Sequence, residues 1–131
     1  MPVRIRTFED LECWNAAREL RLFVARKVVP LLPREERFRL GDQLIRSARS
    51  ITANIAEGYG RFHFRDNYRF CSTARGSCYE VLDHFIAAND ENLMSDQLLA
   101  EGREKLATAL RLLNGYMAYL KRAGSALPNN E

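Results

Sequence analysis

The chain has 131 residues, of which 47% are hydrophobic and 28% charged, with a net charge of +3. That is the size and composition of one globular domain with one core. No apolar run behind Met1-Pro-Val-Arg-Ile-Arg6 is long enough for a signal peptide or a membrane span, so a cytoplasmic location is expected.

Residues 1–7 read as an N-terminal arm. Thr7 is placed to cap a first helix over Phe8 to Val29, with Glu9 and Asp10 in its first turn. Cys13, Ala17, Leu20, Val24 and Val28 recur at three- and four-residue spacing and make one apolar stripe. Leu11, Leu22, Ala25 and Val29 make a second, with Trp14 between the two. A helix with two apolar sides has more to cover than its own bundle requires. Pro30 ends it, and Leu31-Leu32-Pro33 links it to a short turn carrying Glu35 and Glu36.

The second helix is expected over about Arg39 to Gly58 or Tyr59. Leu40, Leu44, Ala48, Ile51 and Ile55 form its core stripe. Gln43, Arg46, Ser50, Asn54, Glu57 and Arg61 form a polar stripe flanked by the small residues Ala48, Ala53 and Ala56. Close packing there would bury polar groups that then need partners. Gly58 and Gly60 read as the helix stop. Their Gly-x-Gly follows no strand and is an incomplete phosphate loop.

His63-Phe-Arg-Asp66 turns into a third helix over about Arg65 to Asn89. Its core stripe is Cys71, Ala74, Cys78, Val81, Leu82 and Phe85, and Thr73, Ser77, Glu80 and His84 make a polar one. After Asn89-Asp-Glu-Asn92, Ser95 or Asp96 caps a fourth helix ending near Arg122, with the stripe Leu99, Gly102, Leu106, Ala109, Leu113, Tyr116 and Leu120. Residues 123–131 read as a flexible tail. Four amphipathic helices over 8–122, with no strand-like alternation, predict an all-α, up-down-up-down antiparallel four-helix bundle.

The three cysteines, Cys13, Cys71 and Cys78, each fall in an apolar stripe and form no Cys-x-x-Cys, so reduced buried thiols are expected. Glu80-x-x-x-His84 has the wrong spacing for a di-iron bundle site and occurs once, so no metal or other cofactor is expected. No motif links His63 or His84 to a nucleophile, and no enzyme activity is assigned.

Charge is uneven along the chain. Residues 37–75 hold eight arginines against three acids, and residues 80–104 hold seven acids against Arg103 alone. Such a molecule suits an anionic partner or a neighbouring copy of itself. Seventeen of the twenty basic residues are arginine, which pairs with phosphate bidentately and stacks on bases. Tyr59, Phe62, Phe64 and Tyr68 lie among Arg61, Arg65 and Arg69, a mixture that single-stranded nucleic acid can use. Structural pairing of Arg46 or Arg61 with Glu57 or Glu80 accounts for part of the same pattern.

Phe8-x-Asp10-Leu11-x-x-Trp14-x-x-Ala17, then Gln43-x-x-Arg46-x-x-x-Ser50-x-x-x-Asn54-Ile-Ala-Glu57-Gly58, Arg61, Gly76-Ser77-x-x-Glu80 and Asn114-Gly115 resemble a bacterial four-helix-bundle family. It is the family named after proteins encoded in intervening sequences of large-subunit ribosomal RNA genes. The resemblance spans about Phe8 to Lys121 and implies a bundle assembled as a ring-like homopentamer, without implying a reaction. The family is similar to the accessory protein of diversity-generating retroelements, a pentameric bundle with a basic surface used for reverse transcriptase and RNA. A cyclic ring needs two different matching patches. The basic and acidic segments are candidates, with Leu11, Trp14 and Leu22 as the apolar part of the contact.

The expectation is therefore a non-enzymatic homo-oligomeric scaffold, possessing no membrane partner, that binds RNA or an RNA–protein complex through Arg49, Arg61, Arg65 and Arg69. Gln43, Arg46, Ser50, Asn54, Glu57, Ser77 and Glu80 are expected to form a structural polar network. The alternatives are an interaction scaffold whose charge asymmetry serves only self-assembly, and a bundle with an enclosed polar cavity containing Ser50, Asn54, Glu57, Ser77 and Glu80.

Overall fold

A computed structural model describes residues 4–126, and parts of the expected arm (residues 1–3) and tail (residues 127–131) lie outside the described residues. The chain is an all-α bundle. A 3-10 turn, Phe8–Asp10, leads into α1, Glu12–Phe23, which continues through a π turn, Val24–Val28, and a 3-10 turn, Val29–Leu31. A single turn, α2 (Arg34–Arg37), precedes α3 (Leu40–Tyr59), α4 (Phe64–Asp90) and α5 (Asp96–Ala126). No strand occurs among the described residues.

The helix ends follow from local chemistry. The Asp10 carboxylate accepts the Arg6 and Thr7 backbone N–H groups at 2.9 and 3.3 Å, tying down the start of the first turn. Pro30 has no N–H, and its ring crowds the carbonyl four residues back. The helix widens just ahead of it, where the Val29 N–H donates to the Val24 carbonyl. Ser95 caps α5, its hydroxyl accepting the Leu98 N–H at 3.1 Å. Helix α5 continues to Ala126 through Gly124, so residues 123–126 belong to the bundle and not to a tail. One glycine near a helix end costs only about 1 kcal/mol and does not stop it.

The apolar stripes meet in one core. Leu20, Val24, Leu44, Ile51, Ile55, Val81, Phe85, Leu113 and Leu120 are fully buried. Each such side chain contributes about 1.5–3 kcal/mol on leaving water. Contacts pair rising residue numbers on one helix with falling numbers on the next. Ser50 meets Ser77, and Gly58 faces Asn67; farther along, Asn67 meets Tyr116 and Phe85 faces Gly102. Helix α1 closes against α3 through Arg21 and the Thr52 hydroxyl, 2.8 Å apart, and against α5 through Lys27 and Glu101.

Gly58 and Gly60 do not act as a left-handed helix stop. Gly60 has φ −75°, and among the described residues only Asn92, at φ 62°, has positive φ. Gly58 instead permits close approach. A Cβ there would lie 2.7 Å from Asn67 Oδ1, 2.9 Å from Phe70 Cβ and 3.0 Å from the Asn67 carbonyl oxygen. Gly102 does the same for the edge-to-face pair Phe23–Phe85, whose centroids are 6.1 Å apart.

Cys13, Cys71 and Cys78 are free and buried. Desolvation pushes each thiol from 9.0 up to about 12. Burial also pushes the Tyr116 hydroxyl from 10.0 up to about 12.

Two outcomes follow from this packing. Gly58→Ala should lower stability by about 1–3 kcal/mol, because helix backbone and Cβ must shift. Gly76→Ala should raise it by up to about 1 kcal/mol, because a Cβ at Gly76 meets nothing within 4 Å. Urea denaturation of the two variants checks the sign of both. The buried thiols hold protons that the unfolded chain releases above its own pKa. Their contribution to stability is therefore complete below about pH 9 and declines as pH rises toward the folded values. The urea midpoint should stay level between about pH 7 and pH 8.5 and fall above about pH 9.

Candidate nucleic-acid interface

The polar stripe of α3 divides by position. Ser50 and Asn54 face α4: the Ser50 and Ser77 hydroxyls are hydrogen-bonded at 2.8 Å, and Asn54 Nδ2 donates to the Ser50 carbonyl and hydroxyl at 2.8 and 3.0 Å. The other four expected members of the network lie outside it. Arg46 pairs with Asp42 at 3.8 Å on the exposed side, Glu57 with Arg61 at 2.8 Å, and Glu80 with His84 at 3.2 Å. The Gln43 side chain is exposed, and it is its carbonyl that accepts the Ser47 hydroxyl. Glu57 and Glu80 open to solvent, so the five residues of the expected cavity do not enclose one.

Buried polar groups that the stripe did not announce include Asn67, whose side-chain amide donates to the Tyr116 hydroxyl at 2.9 Å and whose oxygen receives the Cys71 thiol at 3.5 Å. Thr52 is another, bonded to Arg21.

Leu11 belongs to the chain's own core and is withdrawn from the expected oligomer contact. Trp14 and Leu22 remain half-buried, Trp14 packing edge-on against Phe8 with ring centroids 5.1 Å apart.

The four candidate arginines also separate. Arg49 lines a small cleft between α1 and α3 with Arg21 and Leu22. It is ten residues before the end of α3, about 15 Å along the helix axis. Arg61, Arg65 and Arg69 cluster at the α3–α4 turn. Arg61 lies over the Phe70 ring, 4.6 Å from its centroid, while bonded to Glu57. Arg69 lies 3.8 Å from Asp66 with most of its side chain in solvent.

The turn is joined there by the end of α5. Phe64 packs edge-to-face on Tyr119 at 6.5 Å, and Tyr119 stacks on Tyr116 at 6.3 Å. Two adjoining grooves share Phe64 and Leu120 in their lining. One, of about 420 Å³, is walled by Arg61, Phe62, His63, Tyr116 and Tyr119 among others; the second, of about 300 Å³, is walled by Arg65, Tyr68 and Lys121. Among the described residues no carboxylate lines either groove, whereas the cleft between α1 and α5 carries Glu19, Glu101 and Glu104. Tyr119 and Lys121 were not anticipated. The only signal for them was Tyr116-x-x-Tyr119 beside Lys121-Arg122 at the end of a helix.

Among the described residues no group of His, Cys, Asp and Glu is placed to hold a metal, and no helix is long and apolar enough to cross a membrane.

The arrangement defines an all-α bundle with a cationic, aromatic end. Residues 9–115 match the model of the 23S rRNA-intervening sequence protein family, and the chain belongs to that family. No curated protein matches it.

The Ser50–Ser77 bond is expected to couple α3 to α4. Ser50→Ala and Ser77→Ala should each cost about 1 kcal/mol, and the double variant less than their sum, since the second change removes a hydroxyl that has already lost its partner. Urea denaturation of the three variants measures the coupling.

Proposed function

We propose that the chain is a non-enzymatic homo-oligomeric scaffold that works in the cytoplasm and binds RNA, or an RNA–protein complex, through the basic end of its bundle. The observation that carries this reading is the placement of Arg61 and Arg65, from the α3–α4 turn, and Lys121, from the end of α5, in the walls of two adjoining grooves lined also by aromatic rings. The family's name, which refers to 23S rRNA, supports the same partner class. The non-enzymatic part is supported by the three thiols, which burial holds protonated and unreactive, and by His84, which is engaged with Glu80.

Self-assembly as a pentamer is proposed from the resemblance described above. The half-buried Trp14 and Leu22 on α1 supply an apolar contact of the kind a subunit interface needs.

Binding to ribosomal RNA fragments should weaken steeply with salt, and Arg65→Gln or Arg69→Gln should each flatten the dependence by about 0.7–0.9 in log–log slope. Fluorescence anisotropy across a salt series measures this. Absence of salt-sensitive binding contradicts the reading. Loss of oligomer mass in light scattering on Arg69→Glu, with RNA affinity unchanged, assigns the arginines to self-assembly instead.

A further inference from the structure

Phe62 stands 94% exposed in the turn between α3 and α4, its ring edge-on to His63 with centroids 5.0 Å apart. A phenylalanine so placed forgoes about 1.5–3 kcal/mol of burial. A single exposed apolar residue is ordinary. Here it stands beside a second open ring, Tyr119, half exposed on α5, with Phe64 between Tyr119 and the turn. These rings wall a groove whose cationic member is Arg61, and the adjoining groove carries Arg65 and Lys121. Aromatic rings and cationic side chains therefore share the walls of two adjoining grooves at one end of the bundle.

We infer that this end binds unpaired RNA, with bases stacked on Phe62 and Tyr119 and the phosphate backbone following Arg65 and Lys121 in the adjoining groove. The inference rests on the RNA-binding reading and narrows it. A duplex hides its base faces in its own stack, so exposed rings gain nothing from it. An unstacked strand presents a π face at every nucleotide, and a base on an aromatic ring is worth enough to be felt in affinity. Two exposed rings in the walls of one groove fit that use. The charge pattern favours nucleic acid over a second protein copy: an apolar protein partner would be served by rings alone, and cations in both grooves call for a repeating anion.

The test uses the full chain and two fluorescein-labelled probes, a twelve-nucleotide unstructured pyrimidine RNA and a blunt RNA duplex of the same length, in an anisotropy titration across a salt series. The single strand should bind more tightly than the duplex. Phe62→Ala should weaken single-strand binding by about 5- to 100-fold without changing its salt slope, and leave duplex binding as it was. Phe62→Trp should restore it and Phe62→Leu should not, because only the former keeps a π face. Lys121→Gln should instead flatten the salt slope by about 0.7. Phe62 is solvent-exposed, and circular dichroism should show each Phe62 variant folded. Equal binding of both probes, unchanged by Phe62→Ala, overturns the inference and leaves the RNA reading standing. Absence of binding to either probe at low salt overturns both. A change in oligomer mass on Phe62→Ala, with RNA affinity intact, overturns the inference by assigning the patch to a second copy.

Discussion

The close approach of α3 and α4 at Gly58 is the constraint on which the rest of the molecule depends. A side chain there would strike Asn67 and Phe70 at once. Without one, Asn67 sits buried beside the α3 backbone and reaches across to Tyr116 on α5. Phe70 lies under the Arg61 guanidinium. Three helices are thus registered at one level of the bundle, and the short turn Gly60–His63 follows directly as an outward projection in which Phe62 is 94% exposed. The projection exposes Phe62 and brings Arg61 and Phe64 against the end of α5.

A second, weaker registration lies about two turns away, where the Ser50 hydroxyl, which also accepts from Asn54, meets Ser77. Small hydroxyl and amide groups let the helices stay close while each buried polar atom finds a partner. The charged groups of the same stripe are held on its margins in pairs of one turn's separation, Asp42–Arg46, Glu57–Arg61 and Glu80–His84. Such exposed pairs contribute at most about 1 kcal/mol each. Their value lies in the distribution of charge. Arg61 is partly neutralised by Glu57, and Arg65 and Lys121 line the adjoining groove.

Most of the core was legible in the sequence, because helical periodicity reports burial directly. Leu20, Leu44, Ile51, Ile55, Val81, Phe85 and Leu113 all fell on predicted stripes and all are buried. Gly58 was misread, since a glycine near a helix end carries the same letter whether it frees the backbone or makes room for a neighbour. Asn67 and Tyr119 were missed because their partners lie 49 and 55 positions away, at Tyr116 and Phe64, and no local pattern encodes such a pairing. The candidate arginines were found by composition alone. Composition does not distinguish Arg49, on the side of the bundle between α1 and α3, from Arg61 and Arg65 at its end.

The account places RNA contact at one end of the bundle, built from the α3–α4 turn and the end of α5. Photo-crosslinking of the full chain to 4-thiouridine-labelled RNA, with the modified peptides located by mass spectrometry, tests that placement most directly. The account predicts adducts within residues 61–69 and 116–122, with Phe62 and Tyr119 the dominant sites. Adducts confined to α1 or to the Arg34–Arg49 stretch, with none at the α3–α4 turn, would contradict it.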